Sequence, residues 1–244
     1  MSSHQKGLWF VTLLMCFVLS ATGAHANQLK PFKLKLEAHR YSPVKISLKG
    51  EQYFQPLENN QWKYGLSTRK GWIKYAEHSV MRWQDGSYLP ISFDSKSRMA
   101  FFKETKAIRY NYPKNKIHLE VNGDKRNYDL KPSLFDPLSY QILMALGMTQ
   151  GDTQFRYDVF RYKRPASYSF KVVKKEKLKT KMGLLNTVVI EQFDGTDDNE
   201  RKIFWLAEDY QFVPIRFEHH EKNKLVSLIT AVSGTVGSQT IRGK

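Results

Sequence analysis

Side chains that could carry out catalysis are sparse in this 244-residue chain. The only cysteine, Cys16, lies in an apolar N-terminal run, and no serine occupies a G-x-S-x-G elbow. Five histidines follow the first 26 residues, and none stands in an H-E-x-x-H frame. Exposed strand or loop positions account for all five, which are His39, His78, His118, His219 and His220. We therefore expect no catalytic residue and no cofactor.

One acidic cluster could suggest a calcium loop. Asp194, Asp197, Asp198 and Glu200 crowd around Gly195. The alternating oxygen ligands of a calcium loop, which end in a bidentate glutamate, are absent from this segment. A hairpin turn rich in Gly, Asp and Asn accounts for the same residues. We therefore expect no metal site.

A basic segment is more suggestive of binding. The stretch 161–181 contains nine lysines and arginines and one acid, Glu176. Lys175, Lys177, Lys179 and Lys181 recur with period two, so one face of a strand there is uniformly cationic. Two interpretations remain open. The lysines form a solvated outer face or protect an edge strand against aggregation, or they contact an anionic surface of the cell envelope.

The N-terminus has the pattern of a cleaved signal peptide over residues 1–26. Lys6 precedes an apolar run of 12 residues, from Leu8 to Leu19, that is too short to span a bilayer. Cleavage between Ala26 and Asn27 follows a small-x-small site. We expect a soluble periplasmic protein with no later transmembrane segment. Cleavage removes Lys6 and lowers the net charge from +16 to +15, which favours anionic envelope components over nucleic acid.

Period-two alternation dominates the rest of the chain and predicts an antiparallel all-β protein with a dozen or more strands. Turn signals separate the strands, as at Asn59-Asn60, Asp85-Gly86, Asn122-Gly123 and Lys222-Asn223. One segment has helical spacing: Asp136 is a candidate N-cap, Pro137 follows it, and Gly147 is a candidate C-cap. We expect one domain over residues 27–232 and a frayed tail over 233–244.

Three segments together resemble the domain-of-unknown-function 3108 family. They are Trp83–Phe93 (WQDGSYLPISF), Phe135–Leu146 (FDPLSYQILMAL) and Arg201–Glu218 (RKIFWLAEDYQFVPIRFE). Met182-Gly183 followed by Thr187–Glu191 also fits, and the match extends from about Phe32 to Val232. The resemblance implies an exported Gram-negative envelope protein with a strongly curled antiparallel sheet, of the β-spiral or half-barrel kind. It supplies no catalytic residues.

These observations favour a non-enzymatic periplasmic protein of the cell envelope. Its expected partner is a lipid or other amphiphile, or an envelope protein. The alternative is an interaction scaffold that recognises an anionic envelope polymer or protein through the lysine face of 175–181. An envelope hydrolase is the least favoured function, because no catalytic constellation is visible.

Overall fold

The computed structural model describes residues 28–42, 45–99, 102–194 and 200–243, apart from the side chains of residues 99, 102 and 194. The expected signal peptide and the Ala26–Asn27 cleavage site lie outside these residues, as does most of the acidic segment around Gly195.

Alternating apolar and polar residues form most of the strands, and the described residues contain sixteen of them. In chain order the strands are β1 Phe32–Arg40, β2 Ile46–Pro56, β3 Gln61–Lys70, β4 Ile73–Gln84, β5 Ser87–Met99, β6 Phe102–Asn111, β7 Lys116–Val121, β8 Asp124–Asp129, β9 Leu134–Phe135, β10 Gln154–Arg161, β11 Arg164–Thr180, β12 Gly183–Asp194, β13 Glu200–Ala207, β14 Val213–Glu221, β15 Lys224–Val236 and β16 Gln239–Thr240. The α-helix α1 covers Ser139–Gln150, and a 3-10 turn covers Glu208–Tyr210.

All sixteen strands belong to a single sheet. Its order is β8-β7-β6-β5-β4-β3-β2-β1-β15-β14-β13-β12-β11-β10-β9, with β16 paired to β15. Every pair is antiparallel except the short β9–β10 pair. The sheet curls until side chains from its two ends meet: Lys163 Nζ lies 2.7 Å from Asp124 Oδ2, and the rings of Tyr128 and Phe160 are 5.2 Å apart. The expected strongly curled, all-β fold is confirmed.

The hairpin turns follow the turn signals of the sequence. Two-residue turns with φ > 0 at both positions match the right-handed twist of the strands they join. Such turns occur at Asn59-Asn60, Asp85-Gly86, Asn122-Gly123 and Lys222-Asn223. Asn, Asp and Gly tolerate this conformation better than other residues, and they occupy all of these turn positions except that of Lys222.

Helix α1 lies on the concave side of the sheet and packs against β4, β5 and β10. It is apolar on all sides, as expected of a helix enclosed by other elements. Ile142, Ala145 and Leu146 face one hydrophobic cluster, whereas Tyr140, Met144 and Met148 face a second. The helix therefore joins the two halves of the core.

The ends of α1 differ in part from the sequence expectation. Asp136 Oδ1 accepts hydrogen bonds from the backbone N–H groups of Leu138 and Ser139, both 2.9 Å, although the helix itself is assigned from Ser139. Gly147 is not the C-cap, because the helix continues to Gln150 and ends at Gly151, whose φ is 95°. A Cβ on Gly147 would lie 2.8 Å from Phe155, so this glycine instead permits close packing of the helix on β10.

We expect Asp136→Ala to lower the free energy of unfolding by about 1–2 kcal/mol, as loss of a helix cap does. Asp136 is fully buried and also accepts a hydrogen bond from Ser79 Oγ, so its removal leaves several donors unpaired. Urea denaturation measures the loss, and Asp136→Asn, which retains an acceptor oxygen, should lose less. Asp129→Ala is the control, because Asp129 forms only an exposed ion pair with Lys116. Equal stability of Asp136→Ala and Asp129→Ala would contradict this assignment.

The C-terminal segment is packed, in contrast to the expected frayed tail. β15 continues through Ser233 to Val236, and Ile241 is buried in the core. Tyr210 Oη donates to the carbonyl of Arg242, and the N–H of Gly243 donates to the carbonyl of Met182. The sequence of this segment is small and polar, but two buried apolar side chains, Val236 and Ile241, and these hydrogen bonds anchor it.

Candidate functional site

The concave side of the sheet contains a cavity of about 570 Å³. It lies among β1 to β5, the N-terminal turn of α1, and β13 to β15. This volume is within the range of ligand-binding cavities, about 300–1,000 Å³. The cavity exists because α1 fills only part of the space that the curled sheet encloses.

The walls of the cavity are mainly apolar. Alternation along each strand directs one set of side chains inward, so neighbouring strands contribute aliphatic and aromatic groups to one continuous surface. These wall residues are Leu36, Ala38, Ile46, Leu48, Leu66, Ile73, Phe204, Ile215, Phe217 and Ile229. Such a wall is suited to alkyl chains rather than to sugars or nucleotides, which need many fixed polar partners.

The first turn of α1 closes the inner end of the cavity, where a polar network joins the helix to the sheet. Gln52 Nε2 donates to Tyr64 Oη, and Tyr64 Oη donates to Gln141 Oε1 at 3.0 Å. Gln52 and Tyr64 are buried, so each bond satisfies a polar group that water does not reach. The network fixes the position of the helix relative to β2 and β3.

Glu77 is the one carboxylate among the described residues that line the cavity. It lies on β4 and is half-buried, with its remaining surface toward the cavity. Burial raises the pKa of Glu77 to about 7, a shift that the hydroxyl of Tyr75 opposes and the nearby Asp136 reinforces. The inner end of the cavity therefore changes charge near neutral pH.

Two further charged groups lie behind Glu77, close to the start of α1. Lys106 is buried on β6, and its ammonium donates to the carbonyl of Phe160 at 2.8 Å. Burial lowers the pKa of Lys106 to about 8, against the attraction of Asp136 and Glu77. Burial also raises the pKa of Asp136, although the backbone hydrogen bonds it accepts oppose this. Electrostatic interactions among Glu77, Lys106 and Asp136 thus link β4, β6 and the start of α1.

The outer end of the cavity is cationic. Arg40, Lys74 and Arg98 contribute to its lining and lie at strand ends, next to the hairpin turns, where all three are exposed. His39 also reaches this region and shares a hydrogen bond of 2.9 Å with Ser47. An anionic group placed at this rim would meet positive charge, whereas at the inner end it would meet Glu77.

The lysines singled out in the sequence lie elsewhere. Lys175, Lys177, Lys179 and Lys181 are exposed on and just after β11, and none lines the cavity. Two of them are engaged in ion pairs: Lys175 Nζ lies 2.5 Å from Glu208 Oε1, and Lys181 Nζ lies 2.7 Å from Glu37 Oε2. β10 pairs with β11 only as far as Lys171, so the lysines occupy a part of β11 that pairs with β12 alone.

The residues of the cavity were not predicted from the sequence, although the strand position of Glu77 could have identified that residue. Tyr75, Glu77, Ser79 and Met81 alternate along β4, so Glu77 occupies the inward phase of its strand. A carboxylate in that phase is unusual, because an ionised group is rarely buried without a partner. Trp72, in the turn between β3 and β4, is exposed over 59% of its surface.

The described residues that line the cavity include one carboxylate, that of Glu77, and one histidine, His39. The lining of the cavity holds no cysteine and no carboxylate pair, and its histidine lies at the rim rather than beside Glu77. Within the described ranges, no three His, Cys, Asp or Glu residues are grouped so as to hold a metal ion. Among these same residues no helix has the length and apolarity to cross a bilayer.

Comparison with protein families identifies a relationship along most of the chain. The model of the family described as "Protein of unknown function (DUF3108)" matches residues 60–224. The chain therefore belongs to the DUF3108 family, as its motifs indicate. The match begins at the β2–β3 turn, so it is narrower than the range from Phe32 expected from the motifs. No curated protein matches the sequence.

Several solved structures are similar. A β-barrel-like protein of domain of unknown function DUF1849 from Brucella abortus aligns with a TM-score of 0.56 and 9% identity, over 86% of this chain and 99% of the other. At that identity the likeness concerns the fold alone. A chain of the Pseudomonas aeruginosa MucA/MucB complex aligns at a TM-score of 0.41 and 11% identity, over 87% of this chain and 54% of the other. A DUF1329 family protein from Desulfovibrio piger aligns with a TM-score of 0.29 and 8% identity, over 86% of this chain and 87% of the other.

Proposed function

We propose that this DUF3108 protein is a non-enzymatic binding protein of the bacterial cell envelope, and that its ligand is an anionic amphiphile with an alkyl chain. The observation that carries the proposal is the cavity of about 570 Å³, with apolar walls and a cationic rim. The chain is exported to the periplasm by cleavage of residues 1–26, and the remainder acts as one domain that includes the packed C-terminal segment. The single continuous sheet supports one domain.

The distribution of charge sets the orientation of the ligand. An alkyl chain gains about 0.8 kcal/mol for each methylene it buries in an apolar site. The inner end of the cavity presents Glu77, which repels an anion when ionised, and its glutamines are already bonded to Tyr64. Arg40 and the neighbouring basic residues at the rim attract an anion. The alkyl chain therefore enters first, and the headgroup stays at the rim.

Titration with a fluorescent long-chain fatty acid tests the proposal. We expect saturable binding that a non-fluorescent fatty acid reverses by competition and that persists in added salt, because apolar burial supplies most of the free energy. Arg40→Gln should weaken fatty-acid binding a few-fold and leave binding of the long-chain alcohol of equal length unchanged, because the alcohol lacks the anionic headgroup.

Two matched measurements separate this function from its alternatives. Lys177→Gln together with Lys179→Gln removes two positive charges away from the cavity and should leave fatty-acid binding unchanged. The scaffold function would replace the proposal if two results were found together. The protein would show no saturable binding of alkyl ligands, and it would bind an anionic polymer in a salt-sensitive way that the Lys177 and Lys179 substitutions abolish.

A further inference from the structure

Four basic residues form one continuous row across four neighbouring strands. Arg69 on β3 is in register with Lys74 on β4, Lys74 with Arg98 on β5, and Arg98 with Lys103 on β6. All four side chains are exposed. Residues paired in this way across an antiparallel sheet point to the same face, so the four cations lie side by side at one end of the sheet.

This row is unfavourable within the isolated protein. Like charges directly opposite each other on neighbouring strands destabilise a sheet. In the part of the chain that the structure describes, no ion pair joins Arg69, Lys74, Arg98 or Lys103 to an acid. By contrast, two of the β11 lysines are neutralised by Glu208 and Glu37. The intramolecular contacts thus leave the row without the anionic partner that would offset the repulsion.

Exposed aromatic side chains lie beside the row. Trp72 forms the turn between β3 and β4, three residues from Arg69 and two from Lys74, and 59% of its surface is exposed. Tyr41, which follows β1 at the same end of the sheet, is 40% exposed. Lys70 and Arg40 flank these aromatics and donate hydrogen bonds to the backbone carbonyls of Ser47 and Ser42, respectively. Both of these hairpin tips therefore combine an aromatic ring with adjacent cations.

We propose that this end of the sheet, formed by Arg69, Lys74, Arg98 and Lys103 with Trp72 and Tyr41, docks the protein on the surface of an anionic phospholipid bilayer. Tryptophan and tyrosine are enriched at membrane–water interfaces, where the ring is partly buried and its polar group stays hydrated. Arginine and lysine beside them meet lipid phosphates, and each cation near such a surface strengthens binding about fivefold. An acidic protein segment would account for the cations but not for aromatic rings at the projecting tips.

The docking surface adjoins one side of the cavity rim, since Lys74 and Arg98, in the outward phase of β4 and β5, also contribute to the cavity lining. Docking would bring the opening of the cavity to the lipid headgroups, so that an alkyl chain could pass between bilayer and protein without crossing water. The docking surface is nevertheless independent of the proposed ligand, because it is built from the outer ends of β3 to β6 rather than from the cavity walls.

Co-sedimentation of the full protein with phospholipid vesicles tests the docking surface. We expect binding to vesicles of phosphatidylglycerol and phosphatidylcholine, and at least tenfold weaker binding to vesicles of phosphatidylcholine alone. Replacing Arg69, Lys74, Arg98 and Lys103 with Gln should weaken binding to the anionic vesicles at least about tenfold. The control replaces Lys175, Lys177, Lys179 and Lys181 with Gln, which removes the same charge elsewhere and should have little effect.

Tryptophan fluorescence supplies a second measurement. Anionic vesicles should shift the emission of the parent protein to shorter wavelength, and Trp72→Phe should remove most of that shift. Trp72→Ala should weaken vesicle binding severalfold, whereas Leu57→Ala, at an exposed apolar position on the opposite end of the sheet, should not. A fold defect in the variants is detected by comparing their circular dichroism and melting temperatures with those of the parent.

Any of three results would contradict the proposed docking surface. The protein would bind neutral and anionic vesicles equally, or the four substitutions in the row would leave vesicle binding unchanged. In the third case, the four control substitutions at Lys175, Lys177, Lys179 and Lys181 would weaken vesicle binding more than those in the row. Binding of a soluble anionic polymer without binding of vesicles would likewise exclude the bilayer as the partner. If the protein binds anionic vesicles but does not bind fatty acids, the proposed ligand is wrong and the docking surface still stands.

Discussion

Ala38→Trp should abolish the binding of a long-chain fatty acid while leaving the fold intact. Ala38 lies on β1 in the inward phase, between Leu48 on β2 and Ile229 on β15, and it lines the cavity. An indole at this position fills space that an alkyl chain would occupy. Exclusion of four methylenes would cost about 3 kcal/mol, which is roughly a 200-fold loss of affinity.

The matched control is Lys35→Trp on the same strand. Lys35 is exposed in the outward phase of β1, so the same ring there leaves the cavity unchanged. Titration with the fluorescent fatty acid compares the two variants, and urea denaturation checks that both retain a cooperative transition. Parent-like affinity in a folded Ala38→Trp variant would show that the alkyl chain binds elsewhere. Vesicle binding through Trp72 and the basic row should be the same in both variants.

Glu77→Gln should stabilise the protein above pH 7 and change its dependence on pH. The pKa of Glu77 is raised by burial from 4.5 to about 7 in the folded state. The folded protein therefore holds a proton that the unfolded chain releases, and stability falls as the pH rises between these two values. The full effect is up to about 3 kcal/mol, and it is complete once the pH exceeds the folded pKa.

Urea denaturation of the parent and of Glu77→Gln from pH 5 to pH 8 measures this effect. The difference between the two proteins should widen as the pH rises through this interval, with the variant the more stable at pH 8. Comparison at each pH cancels the titration of distant groups that both proteins share. Lys106 and Asp136 interact with Glu77, so the difference between the two proteins also contains the response of these two neighbours. Glu104→Gln, at an exposed position on β6, should follow the parent. A constant difference across the interval would mean that the folded-state pKa of Glu77 is not raised.

Local sequence determined the strands, most turns and the start of the helix. Alternation along β1, β4 or β7 assigns each side chain to one of two faces without reference to any other strand. Asn122-Gly123 selects its turn because few other residues tolerate positive φ at both positions. Asp136-Pro137 likewise favours the beginning of a helix through one side-chain acceptor and one fixed φ.

The tertiary structure decided where those faces meet. Lys175 to Lys181 stand out in the sequence because they are close along the chain, yet they lie apart from the cavity, and two are neutralised by distant acids. Arg69, Lys74, Arg98 and Lys103 are spread over 35 positions of the sequence, and only the register of three hairpin-linked pairs aligns them. Glu77 could be assigned to the inward phase of its strand, but its pKa depends on desolvation by the helix and by neighbouring strands. Alternation is a property of one strand and can be read from its own residues. The cavity, the row of cations and the desolvation of Glu77 depend instead on strand register, on the curl of the sheet and on the position of α1. Contacts between residues far apart in the chain determine all three.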